Sequence, residues 1–311
     1  MKQPLLVIAG PTGVGKTAVA VALASLVPLE VVSADSRQVY RFMDAATGKP
    51  TAAERDAVPH HLIDVVDPDD RYQAARFCRD ATAAIAEIHQ RGRLPVVVGG
   101  TGLYIRALLR GLDPAPPADL DYRRELTAVT AREGRTALHA RLAGAAPDVA
   151  RRLHPHDHVR IIRALEKLRD GESPASVEGT WAGSAGAYDV VYVGLGMDRA
   201  ALATRLHERA AAMAKAGLAE EVDALLERGY GAELSAMQGI GYREFVRVVR
   251  GELDVATAVS LMQRDTVRYA KRQVTWFMRE PQIEWLTVTP TTDLQHVARD
   301  IERKVTHGGI H

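Results

Sequence analysis

The feature that most constrains this chain is a glycine-rich loop near its start. Residues 10–17 read GPTGVGKT and match the pattern G-x-x-x-x-G-K-[ST] at every fixed position. An apolar run at 5–9 precedes the loop, and a helix-like segment at 18–26 follows it. Glycines let the backbone curl, so that several N–H groups and the positive end of the helix face one anion. The segment predicts a polyphosphate site, with Lys16 as its cation and Thr17 as a ligand for Mg²⁺.

Short apolar segments alternate with helix-like segments through the first third of the chain. Strands are predicted at residues 30–33, 62–66 and 95–98, and helices at 73–91 and 103–110. This alternation predicts a parallel α/β sheet. Because ligands bind at the carboxyl ends of the strands in such sheets, the residues that follow each strand are candidates for the site.

Two domains are predicted from the length and from a break in this pattern. A chain of 311 residues has room for about two domains. A proline-rich stretch at 113–117 ends the alternation, 118–170 is predicted to be helical, and 171–186 is predicted to be a loop. The expected fold is a P-loop α/β core, residues 1–112 and 190–311, with a helical insertion domain at 113–189.

The last third of the chain is predicted to be mainly helical. After a strand at 190–193, Asp198 is placed to cap a long amphipathic helix over 199–228. The remaining predicted elements are helices near 242–250 and 254–279, an edge strand at 283–288 and a short C-terminal helix.

Composition excludes several classes of protein. Apolar residues make up 47% of the chain and charged residues 25%, which excludes a disordered or fibrous chain. The single cysteine, Cys78, excludes an internal disulfide and a cysteine zinc site, and we expect it in the core. His60 and His61 lack a third ligand at a useful spacing, which favours a structural role over a metal pair. Without a signal-peptide pattern, a cytoplasmic protein with no membrane contact is expected.

Polar residues follow two of the predicted strands. Asp35 lies in the run SADSRQVY at 33–40, on the expected rim of the P-loop, and is a candidate general base or magnesium ligand. An N-cap or Asx turn explains an Asp at this position equally well. Thr101 follows another strand on this rim. The glycines around it predict either close approach of a ligand or a plain strand-to-helix turn; they are Gly99, Gly100 and Gly102.

The strand at 95–98 does not end in the acid that nucleotide-hydrolysing P-loop proteins use to hold Mg²⁺. Gly99, Gly100 and Thr101 follow it, and Asp64 is only a weak substitute elsewhere. The loop therefore predicts binding of a polyphosphate without predicting hydrolysis of ATP.

A basic segment lies on the helix predicted at 254–279. It contains a single acid, Asp265, and several interleaved aromatic residues. Such a stripe is typical of a surface that binds looped or single-stranded RNA, and a solvated helix face is the alternative. Its basic members are Arg264, Arg268, Lys271, Arg272 and Arg279, and its aromatic members are Tyr269, Trp276 and Phe277.

Several stretches together resemble the tRNA dimethylallyltransferase (tRNA isopentenyltransferase) family, in its bacterial form without a C-terminal zinc finger. They occur in the family's order and cover nearly the whole chain. The stretches are GPTGVGKT (10–17), SADSRQVYRFMD (33–44), HHLID (60–64), PVVVGGTGLYIRAL (95–108), RIIRALE (160–166), MQGIGYREF (237–245) and RYAKRQVTWF (268–277). One departure is Gly13-Val14, where an Ala-Ser pair is common; both positions act through the backbone.

The resemblance implies transfer of a dimethylallyl group from dimethylallyl diphosphate to N6 of the adenosine at position 37 of tRNAs that read codons beginning with U. It implies a P-loop core with a helical insertion domain, a need for Mg²⁺, and the tRNA anticodon stem-loop as partner. A monomer is the default. By resemblance, Asp35 is the catalytic base and Thr101 orients the amine or the donor.

The resemblance also implies two sets of binding residues. Those expected to bind the diphosphate donor are Gly10, Thr12, Gly13, Val14, Gly15, Lys16, Thr17 and Arg209. Those expected to contact tRNA are Asp35, Ser36, Arg37, Gln38, Thr101, Arg123, Val159, Arg160, Arg163, Gln238, Gly241, Tyr242, Arg243, Lys271, Arg272, Gln273, Thr275 and Trp276.

Two other functions fit parts of the sequence. A P-loop small-molecule kinase would share the loop and the sheet and would bind ATP, but it gives no reason for the basic helix. A non-catalytic RNA-binding switch would use a nucleotide to change shape and would tolerate loss of Asp35. The combination of motifs favours the prenyltransferase over both.

Overall fold

The computed structural model describes residues 2–112, 119–174 and 186–307. Its centre is a six-stranded, fully parallel sheet with the strand order β3-β2-β4-β1-β5-β6. The strands are β1 (Gln3–Ala9), β2 (Leu29–Ala34), β3 (His60–His61), β4 (Leu94–Gly99), β5 (Tyr188–Gly196) and β6 (Glu284–Thr287). The central strands are near-continuous apolar runs, as expected of parallel strands covered on both faces.

Helices follow most of the strands. They are α1 (Lys16–Ala24), α2 (Ala52–Ala57), α3 (Ala74–Gln90), α4 (Gly102–Arg110), α5 (Leu120–Glu133), α6 (Ala137–Ala145), α7 (Pro147–Arg152), α8 (His158–Arg169), α9 (Arg199–Met213), α10 (Ala219–Glu227), α11 (Tyr242–Val249), α12 (Val255–Phe277) and α13 (Leu294–His307). The last is a full 14-residue helix rather than the short one predicted.

The sheet has a separate apolar core on each face because successive side chains of a strand point in opposite directions. On β1, Leu6 and Ile8 pack with α1 and α13, where Leu23 and Ile301 are fully buried. Leu5 and Val7 join the opposite core, which includes residues of α3, α4, α11 and α12. The predicted P-loop α/β architecture is confirmed.

The chain forms two compact units. The first comprises Met1–Leu109 and Gly186–His311, and the second Arg110–Ala185. The second unit contains α5 to α8 around a small apolar core that includes Leu126, Leu142 and Ile161. The proline-rich stretch at 113–117, and residues 175–185 of the predicted loop, lie outside the described residues.

Two predicted elements need correction. The strand predicted at 62–66 is wrong: the strand is β3, and Leu62 and Asp64 have left-handed φ values of 63° and 57°, which extended backbone does not tolerate. Val66 makes only an isolated bridge to Tyr40. The long helix predicted at 199–228 is also interrupted, because Gly217 adopts a φ of 95° within the π-turn Ala214–Leu218.

The predicted cap at the start of that segment is confirmed. The Asp198 carboxylate accepts the backbone N–H groups of Ala200 and Ala201 at 2.9 and 3.0 Å. These bonds satisfy N–H groups that the first turn of a helix leaves without partners. In the described ranges, no helix is both long enough and apolar enough to cross a membrane.

Candidate active site

The P-loop joins β1 to α1, where the sequence predicts it. Gly10, Gly13 and Gly15 have φ values of 145°, 79° and 105°, which side-chain-bearing residues rarely adopt. Lys16 begins the helix and turns back, so that Nζ donates to the carbonyl oxygens of Gly10 and Pro11 at 3.0 and 2.8 Å. The loop thus carries its cation at the centre of its own curl.

The Lys16 ammonium is buried, and this has an electrostatic consequence. Burial lowers the pKa of Lys16 to about 8, with the nearby charge of Asp35 opposing the shift and that of Arg209 adding to it. The group therefore titrates close to physiological pH. An anion bound at the loop would favour the charged form and raise the pKa again.

Asp35 stands immediately after β2 and forms the turn that was one of the two roles suggested by its position. Its Oδ1 accepts the backbone N–H of Arg37 at 2.8 Å and that of Gln38 at 3.4 Å, which is an Asx turn. The same side chain lines two cavities of the first unit. The turn therefore fixes the direction of a carboxylate that reaches open space.

Thr101 is held between β2 and α12. Its hydroxyl oxygen accepts the backbone N–H of Ser36 at 3.1 Å and lies close to the phenol of Tyr269. Burial raises the pKa of Tyr269 to about 12, and the charge of Asp35 adds to the shift. Tyr269 is therefore a neutral hydrogen-bonding group beside Asp35 and Thr101. The sequence suggested only a stacking role for it.

Protein, rather than a ligand, approaches the glycines around Thr101. A Cβ at Gly99 would overlap the backbone of Ala34, and one at Gly102 would overlap the ring of Trp276. A Cβ at Gly100 would overlap the amide of Gln273. A plain strand-to-helix turn packed against β2 and α12 accounts for these glycines, and Gly99 also lines a cavity.

Gln273 connects α12 to the P-loop. Its Oε1 accepts the N–H of Thr12 at 2.8 Å, and its Nε2 donates to the carbonyl of Gly100 at 2.9 Å. The side chain is only 6% exposed. Its amide is therefore committed to protein rather than to the tRNA contact expected from the sequence.

Two cavities meet at Asp35. The loop cavity, of about 620 Å³, is lined by the P-loop and α1 and by the ends of β2 and β4. The helix cavity, of about 490 Å³, is lined by residues 35–37 and by side chains from α9, α11 and α12 and the segment before α11. Five residues line both cavities, namely Thr12, Asp35, Thr47, Arg209 and Met213.

Arg209 reaches the shared region from α9. Burial lowers its pKa, and the charge of Asp35 opposes this. Its guanidinium lies where a Cβ of Gly48 would be, and the φ of Gly48 is 62°. The carbonyl of Gly48 also accepts a hydrogen bond from Gln38 Nε2 at 2.9 Å. Thr47 and Gly48 were not predicted as site residues from the sequence, although the turn-like run TGKP at 47–50 was a usable signal.

The predicted tRNA-binding residues of the first unit divide into two groups. Those that line the helix cavity are Asp35, Ser36, Arg37, Gln238, Arg243 and Arg272. Others serve the fold. Tyr242 is 1% exposed, and its hydroxyl donates to Glu221 at 2.6 Å. Its side chain is therefore not accessible to RNA. Gly241 has a φ of 95° and packs on Ala46. Trp276 is half-buried, with the Arg106 guanidinium 4.2 Å from its ring centroid.

Within the second unit, the predicted RNA contacts are partly engaged with acids. Arg123 makes a two-point ion pair with the buried Glu166, at 2.6 and 3.0 Å, and Arg163 contacts the same carboxylate. Val159 is 80% exposed, and Arg160 lies 3.6 Å from Asp157. Arg123 and Arg163 therefore stabilise the helical unit whether or not they meet RNA.

The basic stripe of α12 is neutralised at one end. Asp265 accepts from Arg243, Arg264 and Arg268, at 2.5, 2.8 and 3.4 Å. Lys271 and Arg272 are exposed one turn further along the helix, and Thr275 donates its hydroxyl to the Lys271 carbonyl. The unneutralised positive charge is concentrated there.

His60, His61 and Cys78 contact protein groups. In residues 2–112, 119–174 and 186–307, no group of three or more His, Cys, Asp or Glu side chains could hold a metal. His60 Nδ1 hydrogen-bonds to the Val58 carbonyl, and His61 Nε2 lies 2.6 Å from Glu30. Cys78 packs against the core, where burial raises the pKa of its thiol to about 11.

This geometry suits group transfer from a phosphate ester. One cavity offers an anion site with a buried cation, the other offers polar and aromatic walls, and a carboxylate faces both. A nucleophile in the helix cavity would lie next to a leaving group in the loop cavity, with Asp35 available as a base.

Comparison with known proteins gives consistent matches. The family model described as IPP transferase matches residues 38–280, and the model described as isopentenyl transferase matches 3–64. The tRNA dimethylallyltransferase 1 of Syntrophotalea carbinolica is 51% identical over 286 residues, which cover 92% of this chain and 91% of the relative. The tRNA dimethylallyltransferase of Anaeromyxobacter dehalogenans is 47% identical over 300 residues, covering 96% and 99%.

Solved structures agree with these matches. The full-length tRNA isopentenylpyrophosphate transferase of Bacillus halodurans is 39% identical, with a TM-score of 0.73 and coverage of 99% of this chain and 98% of that one. A eukaryotic dimethylallyltransferase acting on tRNA is 28% identical, with a TM-score of 0.82 and coverage of 99% and 80%.

Proposed function

The chain belongs to the IPP transferase family of tRNA dimethylallyltransferases, and from this premise we propose how it prenylates tRNA. It transfers a dimethylallyl group from dimethylallyl diphosphate to N6 of an adenosine, with the base at position 37 beside the anticodon as target. The observation that carries this assignment is the pair of cavities that share Asp35. The kinase alternative is not favoured, because the relatives found are tRNA prenyltransferases.

The loop cavity is the proposed donor site. The diphosphate would accept the N–H groups of the P-loop and the start of α1, with Lys16 and Arg209 as cations on either side. Both cations are near Asp35, whose charge acts on each of them. Charge that develops on the departing diphosphate would therefore be stabilised by groups already in place.

The helix cavity is the proposed acceptor site. An adenine must leave its stack to enter it, which costs a few kcal/mol and is least costly in a loop. Tyr269 and Met262 supply apolar wall, while Arg37 and Gln238 supply polar edges. The Arg37 guanidinium is oriented by its bond to the Ser235 carbonyl at 2.6 Å.

The reaction balances with the groups present. The lone pair of N6 forms a bond to C1 of the dimethylallyl group. The bond between C1 and the diphosphate oxygen breaks, and its electron pair leaves with the diphosphate. The proton lost by N6 passes to the carboxylate of Asp35. Thr101, held by the backbone N–H of Ser36 next to Asp35 in the chain, is proposed to orient the amine.

Mg²⁺ fits this donor site as an ion shared with the substrate. Thr17 lines the loop cavity, and Mg²⁺ commonly binds through one or two protein oxygens plus substrate phosphates. The lack of an acidic cluster among the described residues agrees with such a shared site. When bound, the ion would neutralise charge on the leaving diphosphate.

The anticodon stem-loop is the proposed form in which tRNA is recognised. Exposed Lys271 and Arg272, and exposed Val159 and Arg160 in the helical unit, are the proposed contacts outside the cavity. Contacts of this kind position an RNA mainly through its phosphates and its shape.

The direct test uses the purified protein, Mg²⁺, radiolabelled dimethylallyl diphosphate and an anticodon stem-loop with consecutive adenosines. Label should enter the RNA and should be lost when the target adenosine is replaced. A folded protein that binds the RNA without incorporation, and instead turns over ATP with a small acceptor, would support a kinase. Nucleotide-dependent RNA binding with no transfer would support the switch.

A further inference from the structure

The Gln273 side chain links α12, which carries exposed basic residues, to the P-loop, which carries Lys16. Gln273 lies on α12, two residues after Lys271, but points inward. Its amide accepts from the N–H of Thr12 and donates to the carbonyl of Gly100. The P-loop and the turn after β4 are thereby both attached to α12.

The link is rigid at each end. The Gln273 side chain is 6% exposed, so both of its hydrogen bonds are shielded from water. A Cβ at Gly100 would overlap the Gln273 amide nitrogen, so the absence of a side chain there is what admits the amide. The ideal Cβ position at Gly100 also lies 3.3 Å from the carbonyl oxygen of Gly10, the first residue of the P-loop.

The same turns of α12 face both sites. Tyr269 and Arg272 line the helix cavity, Gln273 lines the loop cavity, and Lys271 is exposed. A shift or a stiffening of this segment on contact with RNA must therefore move or stiffen the amide that holds Thr12.

We propose that Gln273 is a positioning residue that couples RNA binding on α12 to diphosphate binding at the P-loop. It acts through the Thr12 and Gly100 backbone. This inference rests on the proposed function for the identity of the two ligands. By linkage, the RNA must tighten diphosphate binding by the same factor by which diphosphate tightens RNA binding.

The test measures binding rather than transfer. Inorganic diphosphate with Mg²⁺ is titrated into the intact protein, alone and with a saturating anticodon stem-loop, and the ratio of the two Kd values is the coupling factor. For the unaltered protein we expect a factor of about 5–150, the usual range for coupled sites. Gln273→Met, which keeps the volume and removes the amide, should bring the factor close to one.

The matched control is Gln263→Met on the same helix. The amide of Gln263 donates to the His207 carbonyl at 3.1 Å and touches neither loop. The same substitution there should leave the coupling factor unchanged. If both variants lose coupling equally, or if Gln273→Met weakens diphosphate binding with the factor intact, Gln273 is only a structural residue and the proposal is wrong.

A second variant covers the case in which Gln273→Met does not fold. Gly100→Ala leaves Gln273 intact and forces its amide away from the loop. It should reduce the coupling factor, and adding Gln273→Met should reduce it no further. Full coupling in a folded Gly100→Ala protein would overturn the proposal.

The same titrations distinguish a failure of the coupling from a failure of the proposed function. Protein that binds diphosphate and RNA with a factor of one retains the proposed function and contradicts the coupling. Protein that binds neither ligand contradicts both.

Discussion

The loop cavity and the helix cavity are built in opposite ways. The loop cavity takes most of its anion-binding groups from one short segment, residues 12–18, whose backbone is curled by its own glycines, and Arg209 adds a cation from α9. Apart from Thr12, the helix cavity is assembled from four segments that are far apart in the chain, at 35–47, 206–213, 238–243 and 262–272. The P-loop is a local structure that any strand and helix could carry, whereas the helix cavity exists only when the whole unit is folded.

The charged groups of the two cavities also differ in their exposure to solvent. Lys16 is buried and held by two carbonyls, so its charge acts at short range on whatever enters the loop. In the helix cavity, Arg268 and Arg272 are exposed to solvent, and Arg243 and Arg268 pair with Asp265. Exposed pairs are screened by solvent and salt. Donor binding should therefore depend on pH, and RNA binding should depend on salt.

The largest expected effect is at Asp35, where the cavities meet. Asp35→Asn keeps an oxygen for the N–H groups of Arg37 and Gln38 and therefore keeps the turn, but it cannot accept a proton. Turnover should fall about 10²–10⁴-fold, the range for general acid–base catalysis, with RNA binding unchanged. Asp69→Asn, at an exposed site, is the control. Turnover within a few-fold of the unaltered protein would remove Asp35 as the base.

The next effect isolates the loop cavity. Lys16→Met should weaken diphosphate binding about 10–100-fold at pH 7, because a charge-assisted contact is lost, and should leave RNA binding alone. The pKa of about 8 sets a second expectation. Lys16 is cationic below this pH and neutral above it, so the advantage of Lys over Met should shrink as pH rises from 7 to 9.5. A pH-independent ratio of the two Kd values would contradict the buried cation.

A smaller effect isolates the exposed end of α12. Changing Arg268, Lys271 and Arg272 together to Ala should weaken RNA binding about tenfold at low salt and flatten its salt dependence, by about 0.7–0.9 in log–log slope per lost phosphate contact. Because Arg268 already pairs with Asp265, Lys271→Ala should change the slope more than Arg268→Ala. Arg79→Ala, on α3, is the control. An unaltered slope would mean that the stripe is only a solvated face.

The smallest expected effect tests the contact between Tyr269 and Thr101. Tyr269→Phe removes the phenol that lies within reach of the Thr101 hydroxyl and leaves the ring in the helix cavity. Since Thr101 keeps its bond to Ser36, the loss should correspond to about one ordinary hydrogen bond, roughly fivefold in turnover. A loss as large as that of Asp35→Asn would place Tyr269 in the chemistry itself. The Thr101→Val variant provides the comparison.

Much of the donor side could be predicted from the sequence. The spacing of Gly10, Gly15 and Lys16 predicts the curl and its cation, and the apolar run before them predicts the buried strand. The position of Asp35 on the same rim follows from the rule that parallel strands end together. Elements with strong periodicity were also predicted to within a few residues, as for α3 and α12.

The acceptor side could not be predicted in this way. Gln273 and Tyr242 lie in motifs that suggest RNA contact, but α12 and α11 turn them inward, where one holds the P-loop and the other bonds to Glu221. Thr47 and Gly48 gave only a turn signal, yet Thr47 lines both cavities and Gly48 lines the loop cavity. Which face of a helix is buried depends on neighbours that are distant in the chain.

The sequence by itself determined the parts whose chemistry is local. A backbone curled by glycines, a lysine at a helix start and a carboxylate after a strand need only nearby residues to define them. Only the tertiary structure decided which amide secures the P-loop, that Arg243 of α11 pairs with Asp265 of α12, and that one carboxylate faces two cavities. Those properties depend on contacts between residues tens to hundreds of positions apart, and no local pattern specifies such distances.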